Sequence, residues 1–145
     1  MKRTRDEVST GRIGELIAAG IIEELGWQTA FCQQNGVDII CWKDNTFYRC
    51  QVKSSTFHRD TRGRLQFHFG MGGKKRRPTP KDYDFACLVS VPQRKAYFMP
   101  IQKINQLSMS RNKGFFENPT LEQDSFEKTI RWLDEFYRKI GRPTN

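Results

Sequence analysis

Residues 36–55, GVDIICWKDNTFYRCQVKSS, predict two antiparallel strands joined by a tight turn. Apolar side chains alternate through VDIICW and FYRCQV, which is the pattern of half-buried strands, and KDNT between them is rich in turn-forming residues. Alternate side chains of a strand share one face, so Gln51 and Lys53 point one way and Val52 points the other. Asp38 begins the neighbouring strand. The hairpin therefore predicts that Asp38 lies close to Gln51 and Lys53.

The segment before this hairpin predicts a helix and then a first strand. Residues 10–25, TGRIGELIAAGIIEEL, carry apolar side chains at helical spacing, and Gly26 is a natural stop. The next segment, WQTAFCQQ, alternates loosely and is separated from the second strand by Asn35-Gly36, a strong turn signal. The pattern is thus a helix followed by a meander of three strands.

The rest of the chain predicts one mixed sheet within a single domain, residues 1–145. Residues 56–82 predict a basic hairpin or loop insertion that contains a short strand, RLQFHFG. DFACLVSV predicts a strand buried on both faces, and KAYFMPI predicts its antiparallel partner. Residues 120–140 predict a C-terminal helix. The fold class is α/β or α+β, with helices packed on the sheet.

The charge balance points to a polyanionic partner. The chain has 25 Lys and Arg against 16 Asp and Glu, a net charge of +9 and a pI of about 9.7. Nucleic acid is the usual partner of such a domain, although anionic membranes and acidic proteins also attract basic surfaces. Apolar runs are too short to span a bilayer and no signal peptide is evident, so we expect a cytoplasmic, nucleoid-associated protein without membrane contact.

The four cysteines favour free thiols over a disulfide or zinc site. No Cys-x-x-Cys pair occurs, and neither His58 nor His68 has a cysteine close in sequence. Three of the four lie within apolar strand patterns, which is typical of buried thiols in a reducing compartment.

The hairpin carries oxygen ligands of the kind that magnesium prefers. The carboxylate of Asp38, the amide oxygen of Gln51 and the carbonyl of Val52 are hard ligands suited to Mg²⁺. The ammonium of Lys53 can polarise a water molecule or stabilise negative charge on a phosphate. Taken singly, Lys53 is better explained by an exposed strand lysine or by a salt bridge with Asp38, which contributes little to stability, and only the set of residues together favours a site.

GVD and QVK together resemble the motif of the PD-(D/E)XK nuclease superfamily. The resemblance implies a restriction-endonuclease-like α-β-β-β-α-β core with a mixed central sheet flanked by helices. The first helix of that family often supplies a further glutamate, and GRIGELIAAGIIEELGW matches it at Glu15. A solvated helix glutamate is the alternative for Glu15. The match covers residues 10–55 well and the remainder in outline.

Two groups of the superfamily are most similar: archaeal Holliday junction resolvases and intron-encoded homing endonucleases of this fold. Some of the homing enzymes use Gln at the acid position, as Gln51 does here. This replacement removes one negative charge from the metal shell, which Glu15 would offset. The sequence also lacks a long helix between QVKSS and DFACLV, where the basic insertion lies instead.

The resemblance implies a Mg²⁺-dependent endonuclease that cuts double-stranded DNA in the manner of a homing enzyme, with Mn²⁺ able to substitute. A Holliday junction resolvase acting on branched DNA and a catalytically decayed DNA-binding module are the alternatives. A homodimer or homotetramer is expected, because one site cuts one strand and a duplex or junction needs two cuts.

Basic side chains of the insertion are expected to contact the DNA backbone, although a solvated loop explains them too. These predicted contacts are Arg59, Arg62, Arg64, Lys74, Lys75, Arg76 and Arg77.

Overall fold

The fold is taken from a computed structural model, which describes residues 5–34, 36–56 and 63–142. Its regular elements are the helices α1 (Arg5–Glu24) and α2 (Leu121–Ile140) and the strands β1 (Gln28–Gln34), β2 (Val37–Lys43), β3 (Thr46–Ser55), β4 (Leu65–His68), β5 (Phe85–Ser90), β6 (Lys95–Pro100) and β7 (Ser108–Arg111). Short 3-10 helices cover Ile101–Lys103 and Lys113–Glu117.

Positive-φ residues end α1 and form both turns of the meander. Gly26 follows α1 with a φ of 96°, and Gly36 has a φ of 82° in the turn before β2. Asp44 adopts a φ of 55° between β2 and β3, a conformation that a short polar side chain tolerates. The predicted helix and three strands are all present, with α1 beginning five residues before the predicted start at residue 10.

Five strands form one mixed sheet in the order β1-β2-β3-β5-β6. The meander β1-β2-β3 is antiparallel, β3 pairs with β5 in parallel, and β5 pairs with β6 antiparallel. Every residue of β5 is buried, as its apolar sequence predicts. The mixed sheet flanked by helices confirms the predicted fold class.

The connection from β3 to its parallel neighbour β5 contains no α-helix within its described part, residues 63–84. It contains β4 and a series of turns instead. The second helix of the fold, α2, comes after the last strand and packs with α1 on one face of the sheet, where Ala18, Cys50 and Leu133 are buried together.

The opposite face of the sheet is covered by β4 and β7, which pair antiparallel as a separate two-stranded sheet. Leu65 and Phe67 of β4 are buried in the same cluster as Ala86 and Leu88 of β5. The strand of the 56–82 insertion therefore packs back onto the domain and pairs with β7, outside the insertion. A smaller turn, closed by a bridge between Met71 and Arg76, lies within it.

The four cysteines are free thiols, and Cys41, Cys50 and Cys87 are buried. Burial, with a contribution from the carboxylate of Asp84, raises the pKa of the Cys41 thiol to about 12. Among the described residues, no helix combines the length and apolar character that a membrane span requires.

Candidate functional site

Asp38 is tied to the strand that carries Gln51, Val52 and Lys53. Its Oδ2 accepts a hydrogen bond of 2.8 Å from the backbone N–H of Val52. The register of β2 and β3, in which Ile39 faces Cys50, sets Asp38 beside Gln51. Asp38 is half-buried. The structure thus brings together the acid and the tripeptide that the sequence predicts to be neighbours.

The side-chain oxygen of Gln51 is buried and accepts no hydrogen bond from the described residues. A buried oxygen without a donor costs roughly 1–3 kcal/mol, so such an atom needs an explanation. A cation satisfies an amide oxygen as a hydrogen-bond donor does. The residues present therefore fit a magnesium ion, with Asp38 supplying a carboxylate beside the Gln51 amide.

Val52 and Lys53 complete the tripeptide. The N–H and C=O of a strand residue point to the same side, so the carbonyl of Val52 points toward the side on which its N–H meets Asp38. Lys53 is half-buried and shares the face of Gln51.

Glu15 reaches this region through the packing of α1 on β3. Gly14 is buried in direct contact with Ser54, which follows Lys53 in β3. Glu15 is partly buried, with 25% of its side chain exposed, and its Oε2 lies 3.9 Å from Nη1 of Arg12. The helix that carries Glu15 therefore contacts the end of the strand that carries Gln51. Glu15 is not a fully solvated helix residue.

Within residues 5–34, 36–56 and 63–142, no three His, Cys, Asp or Glu side chains form a group that could hold a metal. The candidate site is of a different composition. It would combine two carboxylates, Asp38 and Glu15, with the neutral oxygens of Gln51 and Val52.

The predicted DNA-contacting residues lie in different surroundings. Arg59 and Arg62 lie outside the described residues. Arg76 donates two hydrogen bonds of 2.9 Å to the carboxylate of Asp82, and Arg77 donates one of 3.0 Å to the carbonyl of Asn105. These two guanidinium groups therefore already have partners within the protein.

The remaining basic residues are differently placed. Nε of Arg64 donates to Oγ of Ser110 at 2.8 Å, which ties the start of β4 to β7. Lys74 and Lys75 are exposed at the tip of the turn between Met71 and Arg76.

Sequence reasoning missed Asp84, a buried acid immediately before β5. Its Oδ2 accepts from the backbone N–H of Arg49 at 2.7 Å, and its carboxylate also accepts from the guanidinium of Arg49. The Tyr137 hydroxyl donates to Oδ1 of the same carboxylate. This cluster fastens β3, β5 and α2 to one another. An acid directly preceding a buried strand, DFACLV, was the available signal.

Tyr83 was also missed. It is fully buried, and its hydroxyl finds no hydrogen-bond partner in the part of the chain that the structure describes. Burial raises the pKa of this hydroxyl, and the negative charges of Asp82 and Asp38 add to the effect. Its ring packs in the same buried cluster as Val37. Val37 directly precedes Asp38 in the sequence.

No protein-family model and no curated protein matches this sequence. The structure is similar to that of a bacterial homing endonuclease, I-Ssp6803I. The TM-score is 0.66 with 15% sequence identity, and the match covers 92% of this chain and 97% of the other. At that identity the likeness shows a shared fold, and it extends over nearly the whole of both chains.

Proposed function

We propose that this protein is a divalent-metal-dependent endonuclease that hydrolyses phosphodiester bonds in double-stranded DNA, in the manner of a homing endonuclease. The observation that carries the proposal is the hydrogen bond from Val52 N–H to Asp38, which joins the acid to the Gln51-Val52-Lys53 tripeptide. The fold shared with a homing endonuclease supports it.

Four residues would hold the ion: Asp38, Glu15, Gln51 through Oε1 and Val52 through its carbonyl. Two carboxylates balance the charge of a divalent cation, so the neutral Gln51 leaves a site that is still electrically matched. Oxygen ligands of this kind suit Mg²⁺, and we expect Mn²⁺ to substitute because it prefers the same donors.

The chain's own residues would bind and orient the scissile phosphate. A divalent ion supplies Lewis-acid polarisation of the phosphate and eases formation of a hydroxide nucleophile. Lys53 lies on the face of Gln51, where its ammonium orients the attacking water and offsets negative charge that develops on the phosphate. Val52 N–H holds the Asp38 carboxylate at one oxygen and fixes its orientation.

A homodimer or homotetramer belongs to the proposal, since a double-strand break needs two such sites. Double-stranded DNA is the proposed partner, and a four-way junction is the competing substrate.

The test is cleavage in Mg²⁺, by wild type, Asp38→Asn and Lys53→Met, of supercoiled plasmids that carry duplexes enriched by binding to wild type in Ca²⁺. Asparagine keeps an oxygen that accepts from Val52 N–H and removes the charge. Methionine keeps the stem of the lysine and removes the ammonium. We expect each variant to lose at least about 100-fold in rate with its thermal unfolding nearly unchanged.

Two results would contradict the proposal. One is plasmid binding by wild type without any cutting, which favours a DNA-binding module. The other is full activity in Lys53→Met. Faster cutting of four-way junctions than of plain duplex would transfer the assignment to a junction resolvase.

A further inference from the structure

The paired strands β4 and β7, which we call the β4–β7 ribbon, present a polar outer face with the guanidinium of Arg64 at one end, bonded to Ser110. In β4, Leu65 and Phe67 are buried while Gln66 and His68 are exposed. The register pairs Gln66 with Ser110 and His68 with Ser108, so these four side chains share the outer face. Each of them carries hydrogen-bond donors and acceptors.

The ribbon is fixed to the sheet beside the candidate site. The backbone N–H of Gln66 donates to Oγ of Ser55 at 3.0 Å, and Ser55 is the last residue of β3, two positions after Lys53. A further bond of 2.7 Å from Phe69 N–H to the carbonyl of Leu107 extends the pairing. The outer face is therefore a rigid surface at a defined position relative to Gln51 and Lys53.

The positive charge of the protein is concentrated in residues 63–116, which run from just before β4 past the end of β7 and also contain β5 and β6. Residues 63–116 contain 11 of the 25 Lys and Arg but only two of the 16 Asp and Glu, so the rest of the chain has 14 of each and is neutral. Both acids of the segment are paired within the protein, Asp82 with Arg76 and Asp84 with Arg49. The entire net charge of +9 thus belongs to residues 63–116.

We propose that the β4–β7 ribbon enters the major groove of the DNA and that Gln66 and His68 read base edges there. The inference rests on the proposed function and specifies how the substrate is recognised. The major groove, about 12 Å wide, admits a two-stranded ribbon, and amide, imidazole and hydroxyl groups match the donors and acceptors that bases display in it.

The distribution of charge between the turn and the outer face favours recognition of base edges by the outer face over binding to the phosphate backbone. Cationic side chains supply the electrostatic part of DNA affinity, and Lys74 and Lys75 provide them at the exposed turn. Gln66, His68, Ser108 and Ser110 of the outer face include no carboxylate to repel the duplex, and the guanidinium of Arg64 beside them is engaged with Ser110. Gln66 is suited to adenine, which accepts and donates to an amide at two points.

A binding selection on a randomised duplex library, with Ca²⁺ in place of Mg²⁺, tests the inference without requiring cleavage. Wild type should enrich a defined motif. The Gln66→Ala/His68→Ala variant should lose preference by about tenfold or more at each of a contiguous set of positions. Its affinity for unselected DNA and the salt dependence of that affinity should stay as in wild type, since phosphate contacts are untouched.

The matched control is Gln28→Ala, which removes an exposed strand glutamine at the far edge of the sheet, in β1. It should return the wild-type motif. The inference is overturned if the double variant also returns that motif, or if wild type enriches none.

The two proposals fail separately. Selective binding without cutting rejects the nuclease and keeps the ribbon as the reading surface. Cutting without sequence preference supports the nuclease and rejects the ribbon as the surface that reads bases.

Discussion

Gly14 of α1 lies directly against Ser54 of β3. A Cβ atom at position 14 would lie 1.6 Å from Oγ and 2.8 Å from Cβ of Ser54, which is far inside any real contact. The absence of a side chain therefore sets how closely the helix approaches the strand. Glu15 is the next residue, so the same contact fixes the position of this proposed metal ligand relative to Gln51.

Replacing Gly14 by alanine should displace the site end of α1 and move Glu15 away from β3. We expect the Mg²⁺ concentration for half-maximal cleavage to rise and the rate to fall by roughly 100-fold, because about 1 Å of misplacement is enough for such a loss. Overpacking should also destabilise the protein by about 1–3 kcal/mol. Cleavage rates over a Mg²⁺ titration and urea unfolding measure the two effects.

A second substitution at Ser54, the other residue of the contact, should restore activity to Gly14→Ala. In Gly14→Ala/Ser54→Gly the nearest Ser54 atom left to the new Cβ is the Cα, at 3.8 Å, which is ordinary packing. This double variant should recover the Mg²⁺ dependence of wild type. Gly20→Ala is the matched control, since nothing lies within 4 Å of its added Cβ, and it should stabilise the helix by about 0.5–1 kcal/mol. Full activity in Gly14→Ala alone would refute the argument.

Gln51 should lower stability in the metal-free protein while serving cleavage. Its Oε1 is buried without a partner among the described residues, so Gln51→Met should raise the free energy of unfolding by about 1 kcal/mol and abolish cutting. Gln51→Glu should instead remain active and need less Mg²⁺, because a carboxylate binds the ion more strongly. If Gln51→Met is active and no more stable than wild type, Oε1 of Gln51 does not bind a metal ion.

The sequence predicts the part of the fold that local pattern controls. Alternation and turn residues were enough for β2, β3 and β5, and the hairpin that joins Asp38 to Gln51 spans only 14 residues. The pairing of Leu65 with Arg111 was not predicted, because β7 is four residues long and has no extended alternation. The pairing of short strands that are far apart in sequence depends on the burial of their side chains in the folded protein. Local sequence periodicity does not indicate that burial.

The candidate site also has one part that the local sequence pattern predicts and another that depends on tertiary packing. Asp38 and the tripeptide follow from strand geometry, whereas the approach of Glu15 depends on the Gly14–Ser54 contact. Helical spacing places Gly14 on a face but gives no distance to a strand 40 residues later. The role of Asp84 likewise depends on Tyr137, which lies in α2 53 residues later in the sequence.

The buried carboxylate of Asp84 should be a major determinant of stability. Tyr137→Phe removes one hydrogen bond to it and should cost about 1 kcal/mol. Asp84→Ala leaves the guanidinium of Arg49 without its carboxylate partner and should cost about 3 kcal/mol, the lower end for such pairs because 34% of the Arg49 side chain is exposed. Urea unfolding measures both changes. Tyr97→Phe, whose ring packs edge-on against Phe115, is the control and should change little. Equal costs for all three variants would contradict the role of Asp84.

The pair of Arg76 and Asp82 should contribute stability that disappears in acid. Two hydrogen bonds from Arg76, with a smaller contribution from the backbone N–H of Thr79, lower the pKa of the Asp82 carboxyl from 3.8 to about 2. A carboxyl whose pKa is lower in the folded state stabilises the protein above its unfolded value and loses that contribution as the pH falls through the folded value. Arg76→Ala should therefore be less stable than wild type at pH 6, and the gap should close as the pH falls from about 4 to 2. Urea unfolding at several pH values measures the difference in free energy of unfolding between wild type and Arg76→Ala. A difference that stays constant with pH would show that it does not come from the Arg76–Asp82 pair.

Lys74 and Lys75 should contribute to DNA affinity without contributing to its sequence preference. Both are exposed at the tip of the turn closed by Met71 and Arg76, whereas Arg76 itself is engaged with Asp82. Each phosphate contact adds about one unit to the slope of log affinity against log salt. Lys74→Ala/Lys75→Ala should therefore flatten that slope by about two units on every duplex tested and leave the selected motif intact.

Lys139→Ala is the matched control, because Lys139 is an exposed lysine in the last turn of α2 and lies outside the basic segment 63–116. Fluorescence anisotropy over a salt series measures all three proteins. If the control flattens the slope as much as the paired variant does, the attraction is a property of the whole surface. A change confined to Lys74 and Lys75 would instead locate the phosphate contacts at this turn, next to the ribbon that is proposed to read the bases.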